Sequence, residues 1–262
     1  MLAIKVGIAQ MASHDDKQEN LRKAAAMIDT LADDGAQVIV LPELFNYLPP
    51  RIDKDRYIAN AEDVNGPTIS KLTQIARGRD VAIVAGSIIE KSKGGIFNTC
   101  CLITPDGLGG CYRKAHLFKF GSINEAQVFQ PGDGYKIVDC YGMKFGMTIC
   151  FDLRFPELYR KEALAGAEAI TNVAAFLEKT GRMHWMPLLR ARAIENQLYI
   201  IAANQAKGET GPKYYGHSCI IDPWGRVVAK AGLGEEAIMG EIRKERVEGV
   251  RRRLPSLIMA RE

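Results

Sequence analysis

The chain has 262 residues, of which 47% are hydrophobic and 25% carry a charge, and its formal net charge is +4. This length and composition predict a packed core, and they exclude both a small disulfide scaffold and a disordered chain. The longest run without Asp, Glu, Lys or Arg is Gly94–Pro105, whose 12 residues fall short of the roughly 18 that a transmembrane helix needs. The first strand-like run contains Lys5 and no small-residue cleavage site, so we do not expect a secretory signal peptide.

The excess positive charge lies at the carboxyl end of the chain. Residues 243–262 hold seven basic and three acidic side chains, and the other 242 residues hold 28 of each sign. A nucleic-acid-binding protein more often spreads basic residues over one face, with aromatic residues between them. We therefore expect no nucleic-acid partner, and we interpret 243–262 as a basic tail of a single domain that covers residues 1–262.

The strand and helix patterns of the first third alternate. Strand-like runs cover Ala3–Gln10, Gln37–Leu41 and Val81–Ile88, and helical patterns cover Lys17–Asp34 and Pro67–Arg77. The apolar residues of both helical segments recur at intervals of three and four, and Pro67 suits a first helical turn. These segments predict two βαβ units with parallel strands.

Two hairpins and a second set of α/β units follow. The turns Thr104–Gly107 and Asp222–Gly225 carry Pro at their second position and Gly at their fourth, which favours a type I turn between antiparallel strands. The hairpin strands are Ile96–Ile103 with Leu108–Arg113, and Cys219–Ile221 with Arg226–Ala229. The later α/β segments are Lys144–Ile149, Pro156–Ala165, Glu168–Val173, Met183–Asn196 and Gln197–Ala203. The pattern predicts one α/β domain with two mixed sheets.

The six cysteines, at positions 100, 101, 111, 140, 150 and 219, form no CxxC pair. They therefore give no zinc or thioredoxin signal, and without a secretion signal we expect reduced thiols in a cytoplasmic protein. Cys100 and Cys101 are neighbours in one strand-like run and should point to opposite faces of the sheet.

Cys150 is a candidate nucleophile. It follows an apolar strand, and Pro156 opens the next helix six residues later. This strand–turn–helix order is typical of a nucleophile elbow at the carboxyl end of a strand, where α/β sheets bind ligands. The backbone N–H of Phe151 would then face an oxyanion. The alternative is a buried cysteine that only packs.

Two charged residues also follow strands. Glu43 comes directly after Val38–Pro42. In a partly apolar pocket the pKa of its carboxylate would rise, which suits a general base. The alternative is that Glu43 is a solvated turn residue or a partner of a helix N-cap. Lys114 ends the strand Leu108–Arg113 and could stabilise an oxyanion; the alternative is a surface lysine. A Cys–His hydrolase with His116 or His217 as base is also possible from the composition, although neither histidine lies in a recognisable signature.

Three segments in order resemble the Glu, Lys and Cys motifs of the nitrilase (carbon–nitrogen hydrolase) superfamily. They are Leu41–Phe45 (LPELF), Tyr112–Leu117 (YRKAHL) and Cys150–Leu158 (CFDLRFPEL). The resemblance continues through Thr180–Trp185, Arg190–Gln197, Gly216–Ser218 and Asp222–Gly225, so it covers nearly the whole chain.

The resemblance implies a four-layer αββα sandwich with two mixed sheets. It implies that Glu43 is the general base, Lys114 the oxyanion stabiliser and Cys150 the nucleophile. A second glutamate of the family, which precedes a Pro-Gly pair, matches Glu125 and would position the substrate and hold Lys114; the alternative is a loop carboxylate. The implied reaction proceeds through a cysteine thioester and needs no metal and no organic cofactor.

Within the superfamily, the chain looks most like the Nit-type amidases, a branch that includes ω-amidases and deaminated-glutathione amidases. Substrates of that branch carry carboxylates away from the scissile amide, so Arg154 is a candidate carboxylate clamp. The alternative for Arg154 is an ion pair with Glu157 or Asp152. Met186 stands where the branch often has Glu, and the loop 118–124 lacks the acidic character expected there.

Loops should form the walls of the pocket, because loops set specificity on a common scaffold. We expect the loop Phe45–Asp55, with Tyr47, and the segment Phe176–Thr180 to contribute walls. His184 is either a pocket wall or a packing residue at the start of a helix. The candidate substrate-binding residues are Arg154, Tyr47, Phe151, Phe176 and His184.

Three functions stay open from the sequence. The first is a small-molecule amidase that cleaves a carboxylate-bearing ω-amide and releases ammonia. The second is a nitrilase, an N-carbamoyl hydrolase or another amidase of the same superfamily. The third is a non-catalytic binding or regulatory protein on this scaffold. The family resemblance also implies a homodimer or a higher homo-oligomer, and we expect no membrane partner.

Overall fold

Two six-stranded mixed sheets form the centre of the structure. The computed structural model describes residues 2–208 and 212–259. The strands of the first sheet are β1 (Ala3–Gln10), β2 (Val38–Val40), β3 (Ala82–Ser92), β4 (Gly95–Thr104), β5 (Gly107–Arg113) and β14 (Glu236–Arg243). They lie in the order β14-β1-β2-β3-β4-β5. The pairs β1–β2 and β2–β3 are parallel, and the other pairs are antiparallel.

The second sheet repeats this plan. Its strands are β8 (Ile137–Cys140), β9 (Met143–Ile149), β10 (Ala169–Ala174), β11 (Tyr199–Asn204), β12 (Cys219–Ile221) and β13 (Val227–Lys230). They lie in the order β13-β12-β11-β10-β9-β8, with parallel pairing only around β10. A small hairpin, β6 (Lys119–Phe120) and β7 (Ile123–Asn124), stands apart from both sheets.

Helices cover the outer faces of the two sheets. They are α1 (Lys17–Asp33), α2 (Lys54–Ala59), α3 (Pro67–Arg79), α4 (Pro156–Leu164), α5 (Glu178–Asn196), α6 (Lys244–Arg253) and α7 (Ser256–Met259). Side chains alternate along β2, so Val38 and Val40 join the core shared with the second sheet, while Ile39 packs with α1 and α3. The predicted four-layer αββα sandwich is confirmed.

The sequence prediction lacks β6, β7, β8, β14, α2, α6 and α7, and it begins α5 too late. Strand β14 was not predicted, because most of its residues are partly or fully exposed and show no apolar alternation. Helix α5 begins at Glu178 rather than Met183, although it contains Gly181 and Pro187. A Cβ atom on Gly181 would lie 2.5 Å from the Tyr215 side chain, so this glycine allows the helix to lie directly on that residue.

The prediction of six reduced cysteines is wrong for two of them. Cys101 and Cys111 lie directly opposite each other on β4 and β5 and form a disulfide. Spacing alone could not show this pairing, because it depends on the strand register. Cys100 and Cys101 do point to opposite faces, since they belong to different core clusters.

The basic tail packs against the body of the protein. Arg246 pairs with Asp222 at 2.7 Å, and Lys244 pairs with Glu168 at 3.2 Å. Arg251 donates to the backbone carbonyls of Gln197 and Ala167. Arg261 and Glu262, which belong to the predicted tail, lie outside the described residues. Within 2–208 and 212–259, no helix is both long enough and apolar enough to cross a membrane.

Candidate active site

Cys150 sits in a tight turn between β9 and α4. It follows the last residue of β9 directly, and residues 150–154 form a 3₁₀ turn before Pro156 begins α4. Its φ is +46°, a left-handed conformation that is uncommon for a residue other than glycine. Such conformations persist where the surrounding structure enforces them, and they cluster at active sites. The predicted strand–turn–helix geometry is confirmed.

A buried carboxylate, that of Asp152, anchors this turn. It accepts hydrogen bonds from the Ile149 backbone N–H at 2.9 Å, the Tyr112 hydroxyl at 2.8 Å and the His116 backbone N–H at 3.0 Å. Tyr112 and His116 flank Lys114 in the sequence. Asp152 therefore ties the lysine segment of the first sheet to the cysteine turn of the second.

Lys114 lies between two glutamates. Its Nζ is 2.8 Å from Glu43 Oε1 and 2.8 Å from Glu125 Oε2, and the lysine side chain is fully buried. Glu125 starts a 3₁₀ turn, and its Oε2 also accepts the Phe118 backbone N–H at 2.7 Å. An ammonium has three N–H donors, and three carboxylate oxygens lie within 2.9 Å of Nζ, one of Glu43 and two of Glu125.

Glu43 is fixed from three directions. Its Oε1 accepts from Asn98 Nδ2 at 2.8 Å as well as from Lys114, and its Oε2 accepts the Ala175 backbone N–H at 2.7 Å. The loop that carries it runs against β3, where a Cβ on Gly86 would be 2.0 Å from the Pro42 carbonyl oxygen. Only glycine fits there without a shift of the loop.

Burial sets the ionisation of this cluster. It raises the pKa of the Cys150 thiol well above its ordinary value, and Glu43 adds to the effect, while Lys114 opposes it. Burial alone would lower the pKa of Lys114, but Glu125 and Glu43 outweigh it and raise the pKa well above its ordinary value. The resting site therefore holds a protonated thiol and a charged lysine, and the thiol needs a base to react.

A cavity of about 260 Å³ opens over these groups. Glu43, Glu125 and Cys150 line it, whereas the buried Lys114 is not among its lining residues. Apolar residues form much of the remaining wall: Leu44, Leu48, Pro49, Pro50, Ile52, Phe118, Ile123, Ala175, Phe176 and Leu177. A small, largely apolar cavity with a few polar groups is typical of a small-molecule site.

Of the five candidate substrate-binding residues, Phe151, Phe176 and Arg154 line the cavity. Tyr47 does not line the cavity; its side chain is buried in a hydrophobic cluster with Val128 and Phe129. His184 also lies outside the lining and contacts Arg154 instead, with Nδ1 3.2 Å from Nη1. The expected contribution of Phe176–Thr180 to the wall is seen at Phe176, Leu177 and Thr180.

The Arg154 guanidinium lies 5.1 Å from the centre of the Phe176 ring and 5.8 Å from that of Phe151. Burial lowers its pKa. Among the described residues it forms no ion pair, so the alternative pairing with Glu157 or Asp152 is not present. An unpaired cation in a largely apolar cavity is a site for an anionic group of a ligand.

Sequence reasoning missed two tyrosines of the cavity. Tyr57 comes from the unpredicted helix α2, and Tyr214 from the segment before β12. Burial raises the pKa of both phenols above the ordinary value. Neither hydroxyl has a hydrogen-bond partner within the described ranges, so both are available to a ligand. No motif marks either position, and only the fold brings them to the cavity.

The histidines make other contacts. His116 Nδ1 lies 2.8 Å from Asp152 Oδ1, and its ring stacks on Phe155 at 3.6 Å. His217 Nδ1 lies 2.6 Å from the Tyr215 carbonyl oxygen. None of the described residues that line the cavity is a histidine. The geometry thus favours Glu43 over a histidine as the base.

Comparison with known proteins gives a consistent set of relatives. The family model for carbon-nitrogen hydrolases matches residues 5–252. The chain is 35% identical to omega-amidase NIT2 of Xenopus tropicalis and 32% identical to that of Homo sapiens, in each case over 97% of this chain and 94% of the relative.

Solved structures of relatives have the same fold. The crystal structure of Saccharomyces cerevisiae Nit3, a member of branch 10 of the nitrilase superfamily, has a TM-score of 0.89 at 34% identity and covers 97% of this chain and 95% of its own. The C. elegans NitFhit protein also has a TM-score of 0.89, at 30% identity over 99% of this chain and 65% of its own.

Proposed function

This chain belongs to the carbon–nitrogen hydrolase family and is an amidase-type hydrolase, and from that premise we propose that it cleaves the ω-amide of a small carboxylate-bearing molecule through a thioester on Cys150. One observation carries the proposal. The cavity that holds Cys150 beside the Glu43–Lys114–Glu125 cluster also holds the unpaired Arg154 cation. Relatives named omega-amidase support the same substrate class.

The first half-reaction forms the thioester. Glu43 removes the proton from Cys150 Sγ, and sulfur attacks the amide carbon, which moves the carbonyl electron pair onto oxygen. We assign the Lys114 ammonium and the Phe151 backbone N–H to this oxyanion. When the intermediate collapses, the carbon–nitrogen bond breaks, the nitrogen takes the proton from Glu43, and ammonia leaves.

The second half-reaction consumes water. Glu43 takes a proton from a water molecule, whose oxygen attacks the thioester carbon. The carbon–sulfur bond then breaks, sulfur regains a proton from Glu43, and a carboxylic acid leaves. Glu125 holds Lys114 in place in both steps. We propose that these protein groups are sufficient and that no metal or organic cofactor takes part.

The walls of the cavity support the proposed substrate. Phe176, Leu48 and Ile52 suit a short aliphatic chain between the amide and a distant charge. Arg154 can bind a carboxylate with two parallel hydrogen bonds. The cavity volume of about 260 Å³ lies just below the usual range for pockets that bind drug-sized ligands, which favours a smaller, metabolite-sized substrate.

A substrate panel with detection of released ammonia tests the proposal. The panel contains carboxylate-bearing ω-amides, neutral amides of the same length, N-carbamoyl amines and nitriles. We expect the carboxylate-bearing ω-amides to have the highest kcat/KM, and Cys150→Ala to abolish turnover. A preference for nitriles or carbamoyl amines would identify another member of the family, and turnover that survives Cys150→Ala would refute the mechanism.

Arg154→Ala isolates the part of the proposal that concerns the carboxylate. We expect kcat/KM to fall for the carboxylate-bearing amide more than for the neutral amide. Arg182→Ala is the matched control, because Arg182 is an exposed arginine of α5 that pairs with Glu178 at 2.5 Å. If Arg154→Ala leaves the discrimination between the two substrates unchanged, Arg154 is not the clamp.

The proposal extends to the domain organisation, the oligomeric state and the cellular location of the protein. We propose one catalytic domain over residues 1–262, a homodimer or higher homo-oligomer, and a cytoplasmic location without a nucleic-acid or membrane partner. In the helix after the nucleophile, Leu158, Tyr159 and Ala163 are buried in the core, so they do not offer an interface. Met183 and Ile194 of α5 are exposed apolar residues and suit one better. Sedimentation velocity distinguishes a dimer from a monomer.

A further inference from the structure

We propose that His184 is a positioning residue, which holds the Arg154 cation in the substrate cavity and so sets the preference for carboxylate-bearing amides. This inference rests on the function proposed above. It concerns a histidine that is not among the residues lining the cavity and that contacts Arg154, which does line it.

The contact joins two elements that meet beside the nucleophile. Arg154 ends the 3₁₀ turn that begins at Cys150, and His184 lies in the second turn of α5. Nη1 of Arg154 is 3.2 Å from Nδ1 of His184, and because a guanidinium has only N–H donors, Nδ1 is the acceptor of this hydrogen bond. The Phe176 and Phe151 rings lie beside the same guanidinium.

The backbone around His184 is well anchored. The next residue, Trp185, is fully buried, its Nε1 donates to the His217 carbonyl at 2.9 Å, and its ring packs against Phe176. Arg192, two turns further along α5, donates to the Leu153 carbonyl at 2.9 Å, next to Arg154. The helix and the turn are thus fixed relative to each other, and the acceptor of His184 is fixed with them.

The imidazole of His184 carries no negative charge, and this leaves the positive charge of Arg154 available to a ligand. Arg182 and Arg192 of the same helix each pair with a carboxylate, at 2.5 Å and 2.8 Å, which cancels the cation locally. A neutral imidazole takes one of the five guanidinium N–H groups and leaves the charge and the other donors for a ligand. His184 therefore orients Arg154 without competing with a substrate carboxylate.

Three substitutions separate this role from simple packing. His184→Leu removes the acceptor, His184→Asn places an amide oxygen near the position of Nδ1, and His184→Lys puts a like charge beside Arg154. The readout is the ratio of kcat/KM for a carboxylate-bearing ω-amide to that for the neutral amide of the same length. Arg182→Ala, at an exposed arginine of the same helix, is the matched control.

We expect His184→Leu to lower this ratio about tenfold, since a hydrogen bond to a charged group is lost. The loss should lie in KM rather than kcat. His184→Asn should restore most of the ratio, and His184→Lys should lower it further than Leu does. In the double variant with Arg154→Ala, His184→Leu should add nothing, because it acts only through that cation.

The outcomes distinguish the two proposals. If Arg154→Ala lowers the ratio and His184→Leu and His184→Lys do not, the positioning role is refuted and the clamp stands. If Arg154→Ala itself leaves the ratio unchanged, the clamp fails, and the role of His184 fails with it. Equal losses for both substrates, or additive effects in the double variant, would also overturn the inference. Should His184→Leu not fold, His184→Lys at this exposed position provides the same readout.

Discussion

Substitution of Glu125 by Gln tests the assignment that depends most on the structure. The two oxygens of the Glu125 carboxylate accept from two donors. Oε2 lies 2.8 Å from Lys114 Nζ and 2.7 Å from the Phe118 backbone nitrogen. Oε1 lies 2.9 Å from the same Nζ. A glutamine has one acceptor oxygen and one NH2 group. If its oxygen replaces Oε2, it accepts from both donors, but its NH2 then faces Lys114 Nζ in place of Oε1. In the opposite orientation its oxygen accepts from Lys114 only, and its NH2 faces the Phe118 N–H.

The expected magnitude follows from this geometry. One charge-assisted hydrogen bond to a buried ammonium is lost, which is worth about 1.5–3 kcal/mol. If the whole of that loss falls on the transition state, kcat decreases about 10- to 150-fold, because each 1.4 kcal/mol corresponds to a factor of ten. Glu43 and Cys150 are untouched, so the reaction should slow without stopping.

The assay combines turnover and folding. We would measure ammonia release on the best ω-amide of the panel, and thermal unfolding of each variant. Glu19→Gln is the matched control, because Glu19 pairs with Arg22 at 2.6 Å on the surface, where an ion pair contributes little. A Glu125→Gln variant that keeps the wild-type melting temperature and a kcat within twofold of wild type would show that Glu125 is only a structural carboxylate.

Three further predictions concern the nucleophile, the tyrosines and a buried acid. Cys150→Gly and Cys150→Ala should both lack turnover. The glycine variant should melt about 2–4 °C higher than the alanine variant, because glycine tolerates the φ of +46° at this position. Equal melting temperatures of the two variants would argue against backbone strain. Tyr57→Phe and Tyr214→Phe should each lower kcat/KM by roughly 3- to 10-fold, since each loses one hydrogen bond to the substrate, and unchanged kinetics would exclude that contact. Burial raises the pKa of Glu162 well above its ordinary value, so its favourable contribution is complete at acid pH and is lost as the pH rises through the folded-state pKa. Glu162→Gln should therefore stabilise the protein at pH 8 by about 1–3 kcal/mol and have little effect near pH 4, as denaturant unfolding at both pH values would show.

The sequence predicted the elements whose signals are strong and local. Buried strands such as β2 and β9 are short apolar runs, and the residue that follows each run, Glu43 or Cys150, lies where a ligand binds in an α/β fold. The same reasoning could not find β14, because an edge strand with exposed side chains lacks the alternation that marks a strand.

Features that depend on contacts between residues distant in the sequence could not be predicted from the sequence. The Cys101–Cys111 pair follows from the register of β4 and β5, which no spacing rule gives. Tyr47, Tyr57 and Tyr214 all pack in one hydrophobic cluster, but only Tyr57 and Tyr214 also line the cavity, and they come from segments without a motif. The direction of a side chain in a loop is decided by packing, and packing becomes visible only in the folded chain.

The division of the site between two sheets has a consequence for biosynthesis. Glu43 and Lys114 follow strands of the first sheet, and Cys150 follows a strand of the second. A nascent or partly folded chain, in which the sheets have not docked, carries a thiol without its base. The nucleophile therefore meets its base only when the two sheets dock, so the appearance of activity reports assembly of the sandwich.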